Sequence, residues 1–183
     1  VDALTLLLNR TSQPRLEAPA PDADALANIK RAALRAPDHA SLTPWRFIIC
    51  EGAGLNKLGA LFEQSAIDTD KSAKEIERAP QLPLRAPMVI IAIAKVQESP
   101  KVPRVEQVAS TACAVMAMQM AAIAQGFQGI WRTGSYAQCD TVKRGLNLTE
   151  EDEIVGFLYL GTATIEAPER KPHDLNQFFE HWS

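Results

Sequence analysis

Apolar positions along this chain change period several times, and each change predicts an element. Leu4, Leu7 and Leu8 recur at helical spacing behind Asp2. They predict a capped helix from about Ala3 to Asn9 with the leucines facing inward. The Pro-rich loop RTSQPRLEAPAP follows. Leu26, Ile29 and Ala33 then predict a second helix, capped by Asp22. Pro37 pushes Ala36 out of the helical region and ends it. WRFIIC reads as a strand, and residues 54–67 read as a helix with Leu55, Leu58, Leu61 and Phe62 on one face. DTDKSAKEIERAPQLPLR is polar and Pro-punctuated, and is expected to be partly helical and mobile. APMVIIAIA is a continuous run rich in β-branched residues, the pattern of a strand covered on both faces.

Residues 108–127, VASTACAVMAMQMAAIAQGF, are long enough to span a bilayer. Ala and Met dominate, however, and Ser110, Thr111, Gln119 and Gln125 interrupt the run, with no aromatic belt at its start. The pattern predicts a soluble helix over about 103–125, ended by Gly126 as C-cap, and no membrane association. A helix apolar nearly all round is buried on more than one side, either centrally or against a partner subunit. GIWRTG begins a further strand, AQCDTVKRGLN reads as one short helix, and EIVGFLYLGTAT as a buried strand. The final HDLNQFFEHWS carries aromatics that need a place to pack. This order predicts an α/β or α+β sandwich, helices covering a small central sheet, in a single domain over 1–183.

Composition narrows the partners. The chain has 183 residues, 46% apolar and 22% charged, with a net charge of −3. No run of like charge marks a nucleic-acid partner. Cys50, Cys113 and Cys139 lack CxxC spacing and are odd in number, which argues against a disulfide framework and a zinc site. Such usage fits a reducing cytoplasm. VDALTLLLNR has no basic segment before its apolar residues, unlike a signal peptide, and its first residue leads one to expect that an initiator Met precedes it.

Several chemistries lack their motif. No GxGxxG links a strand to a helix; Gly126, Gly129 and Gly134 have the wrong spacing and follow a helix. There is no GxxxxGK[ST], GxSxG or HExxH, and His39, His173 and His181 lie apart. Three polar loops remain. NRTS places Arg10, Thr11 and Ser12 after the first helix, where a cation, hydroxyls and free N–H groups suit a phosphate. Arg35 and His39 flank Pro37, and Trp131 is followed by Arg132 and Thr133. Each loop alone reads equally as ordinary structure: an ST-turn, a dipole-complementing arginine with a solvated histidine, a rim aromatic. Together they suit an anionic ligand. No nucleophile or acid/base pair accompanies them, so chemistry would come from a cofactor.

Read in order, these loops resemble the FMN-dependent nitroreductase family. NRTS after a Leu-rich helix, RAPDHASLTPWRF, AIAQGFQGIWRTG and VGFLYLGT resemble its motifs in order, over residues 1 to about 165. The wording is most similar to a small bacterial subgroup of NAD(P)H nitroreductases. The resemblance implies an α+β three-layer sandwich with a small, mostly antiparallel central sheet and helices on both faces. It implies an intertwined homodimer with FMN at the interface. Carried over, Arg10, Thr11 and Ser12 bind the phosphate and ribityl end, Arg35 and His39 reach the flavin from one chain or the other, and Trp131, Arg132 and Thr133 line it. Ala121, Ala122, Ile123, Ala124, Gln125 and Gly126 lie near NAD(P)H.

The implied activity is ping-pong reduction of a nitroaromatic, quinone or similar small-molecule acceptor by NAD(P)H, with no catalytic side chain. The rivals are a flavin-binding protein of little turnover, for storage or sensing, and a helical interaction module without flavin. Three departures stand out. Thr11 replaces the family's second Arg, Thr43 replaces a Gln, and Pro14 stands where a basic residue approaches the pyrimidine edge of the flavin. Arg15, Arg35 or His39 are the candidates to replace it. The chain is also shorter than many members, so helices that roof the site are expected to be missing.

Overall fold

A computed structural model describes residues 2–165 and 172–182. Twelve named elements carry the fold among these residues: α1 (Ala3–Asn9), β1 (Leu16–Glu17), α2 (Ala23–Ala33), β2 (Trp45–Glu51), α3 (Ala53–Asp68), α4 (Ala73–Arg78), β3 (Met88–Ala94), α5 (Arg104–Ala124), β4 (Gln128–Arg132), α6 (Ser135–Gln138), α7 (Asp140–Gly145) and β5 (Glu153–Ala163). The sheet runs β2–β3–β5, β4 and β1 each pair with β5 as well, and every pairing is antiparallel. Every residue of β3 is buried. Side chains alternate across a strand, so Val89, Ile91 and Ile93 pack toward α3 and α7 while Met88, Ile90 and Ala92 pack toward α2 and α5. The layers are therefore helices, sheet, helices: an α+β sandwich.

Local signals are realised as the sequence predicts at several ends. Asp2 accepts hydrogen bonds from the Leu4 and Thr5 N–H groups, and Asp22 from that of Ala25. Gly126 follows α5 at φ +90°, a conformation that disfavours any residue with a Cβ.

Other readings are corrected. Leu4, Leu7 and Leu8 are exposed, not inward, because α1 lies along α5 and presents its apolar stripe away from the sheet. The Pro-rich loop contains β1, which pairs with the last residues of β5, Thr162 and Ala163. The predicted single helix after β4 is two, α6 and α7, divided by an extended Cys139. The stretch expected to be mobile is a collar on α3: α4 carries a capping box of Ser72 and Glu75, and two 3₁₀ turns, Ala79–Gln81 and Pro83–Arg85, follow with Ala79 and Pro83 buried. The terminal aromatics Phe178, Phe179 and Trp182 are exposed.

α5 passes a length-and-composition test for a membrane span, yet half of that window is buried in the fold. Its polar residues explain the placement. Ser110 donates to the Pro37 carbonyl, Thr111 to that of Pro44, Gln119 to that of Gly129, and Gln125 to that of Ala25. Together they fasten three segments to α5: the loop before β2, the start of β4 and the first turn of α2.

β5 carries a bulge: Ala92 pairs with Gly156 and Ile93 with Ile154, which leaves Val155 over. The Val155 carbonyl accepts a bond from Trp131 Nε1 at 3.2 Å. A Cβ at Gly156 would stand 2.1 Å from that nitrogen and 2.8 Å from the Arg132 carbonyl. Gly156→Ala therefore expels the indole, and is expected to destabilise by about 2 kcal/mol, as overpacking does. The check is a lower urea midpoint with an altered Trp emission; an unchanged midpoint contradicts the packing.

Before β5, Asp152 is buried and bonded to Lys95 Nζ at 2.5 Å and to the Thr149 N–H at 2.9 Å. Burial alone raises its carboxyl pKa, but the bonds from Lys95 and Thr149 outweigh it and hold the group below the usual range. A depressed folded-state pKa contributes stability above the ordinary carboxyl pKa and loses it as pH falls through the folded value. Asp152→Asn is expected to cost about 2 kcal/mol near pH 7, the scale of a hydrogen bond to a charged group. The deficit relative to wild type should shrink in acid. A thermal-unfolding series against pH checks both parts.

Candidate functional site

The first loop leaves α1 at Arg10, whose backbone turns extended (φ −57°, ψ 127°). Arg10, Thr11 and Ser12 are half-buried. The anchor comes next. The Gln13 N–H donates to the Gly129 carbonyl at 3.0 Å, the same oxygen that Gln119 Nε2 reaches at 3.0 Å. Gln13 is 2% exposed, and its Oε1 is buried without a partner. NRTS is thereby fixed beside the C-terminal half of α5 and the start of β4.

The third loop ends β4. Trp131 packs toward α2 and α5, and its neighbour Arg132 lies on the opposite face with Ile130. The Arg132 guanidinium carbon lies 5.8 Å from the centre of the Tyr159 ring, and its Nε is buried without a partner. Burial pushes the Tyr159 hydroxyl pKa up to about 12 against the pull of Arg132 and Arg85, so it stays neutral. Arg85, on the 3₁₀ turn before β3, is half-buried. Burial first, then repulsion from Arg78 and Arg132, lowers its pKa.

Three cavities adjoin here. One of about 460 Å³ is lined by Arg85, Trp131, Arg132, Thr133 and Tyr159. A second, about 500 Å³, shares Arg85 and Arg132 and adds Pro14, Arg15 and Glu17. A third, about 590 Å³, shares Thr133 and Gly134 with the first. Sizes of this order suit a small-molecule ligand.

The second loop is held more stiffly and elsewhere. Ala40, Ser41 and Thr43 all have positive φ (59°, 53° and 47°), a left-handed conformation unusual for non-glycine residues. Asp38 sustains it by accepting from the Leu42 and Thr43 N–H groups. Trp45 Nε1 donates to Ser110 Oγ, which donates to the Pro37 carbonyl, so the loop is pinned to α5. His39 Nδ1 lies 2.7 Å from Glu106 Oε2, and Arg35 is exposed at the end of α2.

The second loop does not join the other two within one chain. Ser110, which pins it, stands nine positions from Gln119, about 14 Å along α5. Glu106 and Ser110 face it, whereas Arg104 and Val108 line the cavity at Thr133. A two-residue offset turns a helix by about 200°. Arg35 and His39 thus lie across α5 from Trp131–Thr133. Residues Ala121–Gly126 have their own structural duties. Ala122 is fully buried, and Gln125 accepts from Asn28 while donating to the Ala25 and Ala121 carbonyls.

The cleft formed by these cavities is cationic, with hydroxyl groups and an aromatic wall. None of the three ion pairs among the described residues involves Arg10, Arg15, Arg35, Arg85 or Arg132. Among the described residues no group of three or more His, Cys, Asp or Glu side chains is placed to hold a metal. Sequence reasoning missed Gln13, Arg85 and Tyr159. Only their long-range packing reveals them.

Comparison with known proteins bears directly on this arrangement. The profile of the Nitroreductase family matches residues 7–162. A protein of Escherichia coli K12 named "Putative NAD(P)H nitroreductase YdjA" is 51% identical over 167 residues, 91% of each chain. A nitroreductase-like family protein of Bacillus cereus superposes with a TM-score of 0.84 at 22% identity, covering 100% of this chain and 96% of its own. A nitroreductase of Bacteroides fragilis NCTC 9343, solved with bound FMN, gives 0.76 at 22% identity with complete coverage of both. With its antiparallel sheet between two helical layers and a family match over most of its length, the chain belongs to the nitroreductase family.

Proposed function

We propose that this chain is an FMN oxidoreductase that works as an intertwined homodimer and uses NAD(P)H to reduce nitroaromatic, quinone or similar acceptors. The observation that carries the reading is the division of the site: two polar loops on one side of α5, the third on the other. A second copy supplies Arg35 and His39 to the half-site built by Arg10–Ser12 and Trp131–Thr133. Exposed apolar surface supports the same assembly. It includes Leu4, Leu7 and Leu8 of α1, Val105 and Met116 of α5, and the terminal Leu175, Phe178, Phe179 and Trp182, the last 96% exposed. Exposed apolar side chains in this number are what an interface would cover.

The residues present fit the cofactor. Two buried polar atoms lack partners, Arg132 Nε in the cationic cleft and Gln13 Oε1 next to Pro14, which lines it, and such atoms are costly unless a ligand satisfies them. Arg10, Thr11 and Ser12 would hold the phosphate and ribityl end; Trp131, Arg132 and Thr133 would line the ring. When bound, FMN supplies the hydride chemistry, from NAD(P)H to acceptor in alternating half-reactions. The chain's own residues bind, orient and neutralise charge. Ala121–Gly126 would approach NAD(P)H through backbone and the Ile123 side chain. The three free thiols support a cytoplasmic setting.

Purified protein is expected to be yellow, with one FMN per chain, to bleach anaerobically with NADH or NADPH, and to recover colour on adding a nitroaromatic or quinone. A colourless protein without FMN affinity contradicts this reading. Binding without bleaching favours the storage or sensing alternative. Met116→Glu is expected to split the dimer and weaken FMN binding at least tenfold, read by sedimentation and fluorescence titration. A dimer of unchanged stability contradicts the interface.

A further inference from the structure

We propose that Arg85 supplies the positive charge at the ring end of the FMN pocket, in the place left without a base by Pro14. This rests on the FMN reading above. Pro14, Arg85 and Arg132 line one cavity, so the gap left by the missing base opens onto two guanidiniums contributed by distant parts of the chain. Arg85 and Arg132 also share the adjoining cavity walled by Trp131 and Tyr159.

The other candidates are placed less well. His39 and Arg35, which the second copy would bring, are respectively engaged with Glu106 and exposed at the end of their own α2, and neither lines the cavity at Pro14. Arg15 lines the cavity but is exposed, beside the exposed Glu17. Arg85 is half-buried and forms no ion pair among the described residues. Tyr159, whose ring lies 5.8 Å from the Arg132 guanidinium and which shares the cavity with both arginines, stays neutral and gives them no counter-charge. Two like charges held together at low exposure favour an anion between them.

The chemistry supplies that anion. Hydride from NAD(P)H, which leaves as NAD(P)+, brings two electrons and one proton. The reduced ring therefore carries one more negative charge than the oxidised ring. A cation that faces it binds the reduced cofactor more tightly than the oxidised one and raises the potential.

The test is the two-electron midpoint potential of FMN bound to Arg85→Gln, Arg85→Met and Arg85→Lys dimers. The neutral variants should still bind FMN. Their preference for reduced over oxidised cofactor should fall about tenfold, a potential about 30 mV more negative for a two-electron couple. Lys should restore most of it. A wild-type potential in either neutral variant overturns the proposal. Should both neutral variants fail to hold FMN, the unaltered holoprotein decides. Its reduced flavin should stay anionic below the pH at which free reduced FMN takes up its N1 proton, and protonation as in free FMN overturns the proposal. A wild-type protein that binds no FMN overturns instead the functional reading beneath it.

Discussion

Hydrogen bonds from the polar side chains of α5 decide where everything else stands. Ser110, Thr111 and Gln119 sit in the largely apolar body of α5 and Gln125 caps its end; Ser110 and Thr111 reach the loop before β2, Gln119 the start of β4, and Gln125 the backbone of α2. Ser110, Thr111 and Gln119 are buried, and each would cost about 1–3 kcal/mol if left without a partner. Shifting the helix by one residue would break these bonds together. The register of α5 is thus fixed, and with it the position of each loop it holds. Dispersion and apolar burial build the sandwich; these bonds orient it.

The functional consequence follows from helix geometry. Gln119 and Gly129 hold NRTS near one end of α5, while Ser110 and Glu106 hold the strained PDHASLT loop farther along. On the proposed reading a chain so arranged carries two incomplete halves of a site and two copies would complete two sites, so the exposed apolar surface on α1, α5 and the terminal segment belongs in the same account as the polar loops. The cleft contains cations, amides and hydroxyls but no activated nucleophile. Its role in this account is to hold an anionic cofactor and stabilise charge that appears during reduction.

Much of the framework was legible in the sequence because its causes are local. Asp22 and Gly126 mark helix ends through their own backbone chemistry, and MVIIAIA reads as doubly covered because no polar residue interrupts it. Periodicity shows that Leu4, Leu7 and Leu8 share a face; it does not say what covers that face, and among the described residues nothing buries it. β1 has two residues, too few for a period. The three polar loops were recognisable as segments, but their grouping depends on which side of α5 each is pinned. Arg85 and Gln13 were illegible for the same reason: their neighbours are set by strand pairing and by the collar on α3, far away in sequence.

The central claim is that each site draws Arg10–Ser12 from one chain and Arg35 and His39 from the other. The direct measurement uses two inactive parents, Arg10→Ala and Arg35→Ala/His39→Ala, carrying different affinity tags and co-expressed. The doubly tagged heterodimer is isolated and its FMN counted. Shared sites predict one wild-type site and one doubly altered site, so one tightly bound FMN per heterodimer where each parent holds none. A heterodimer that binds FMN no better than its parents would mean that both loops serve the same chain's site, and would contradict the account.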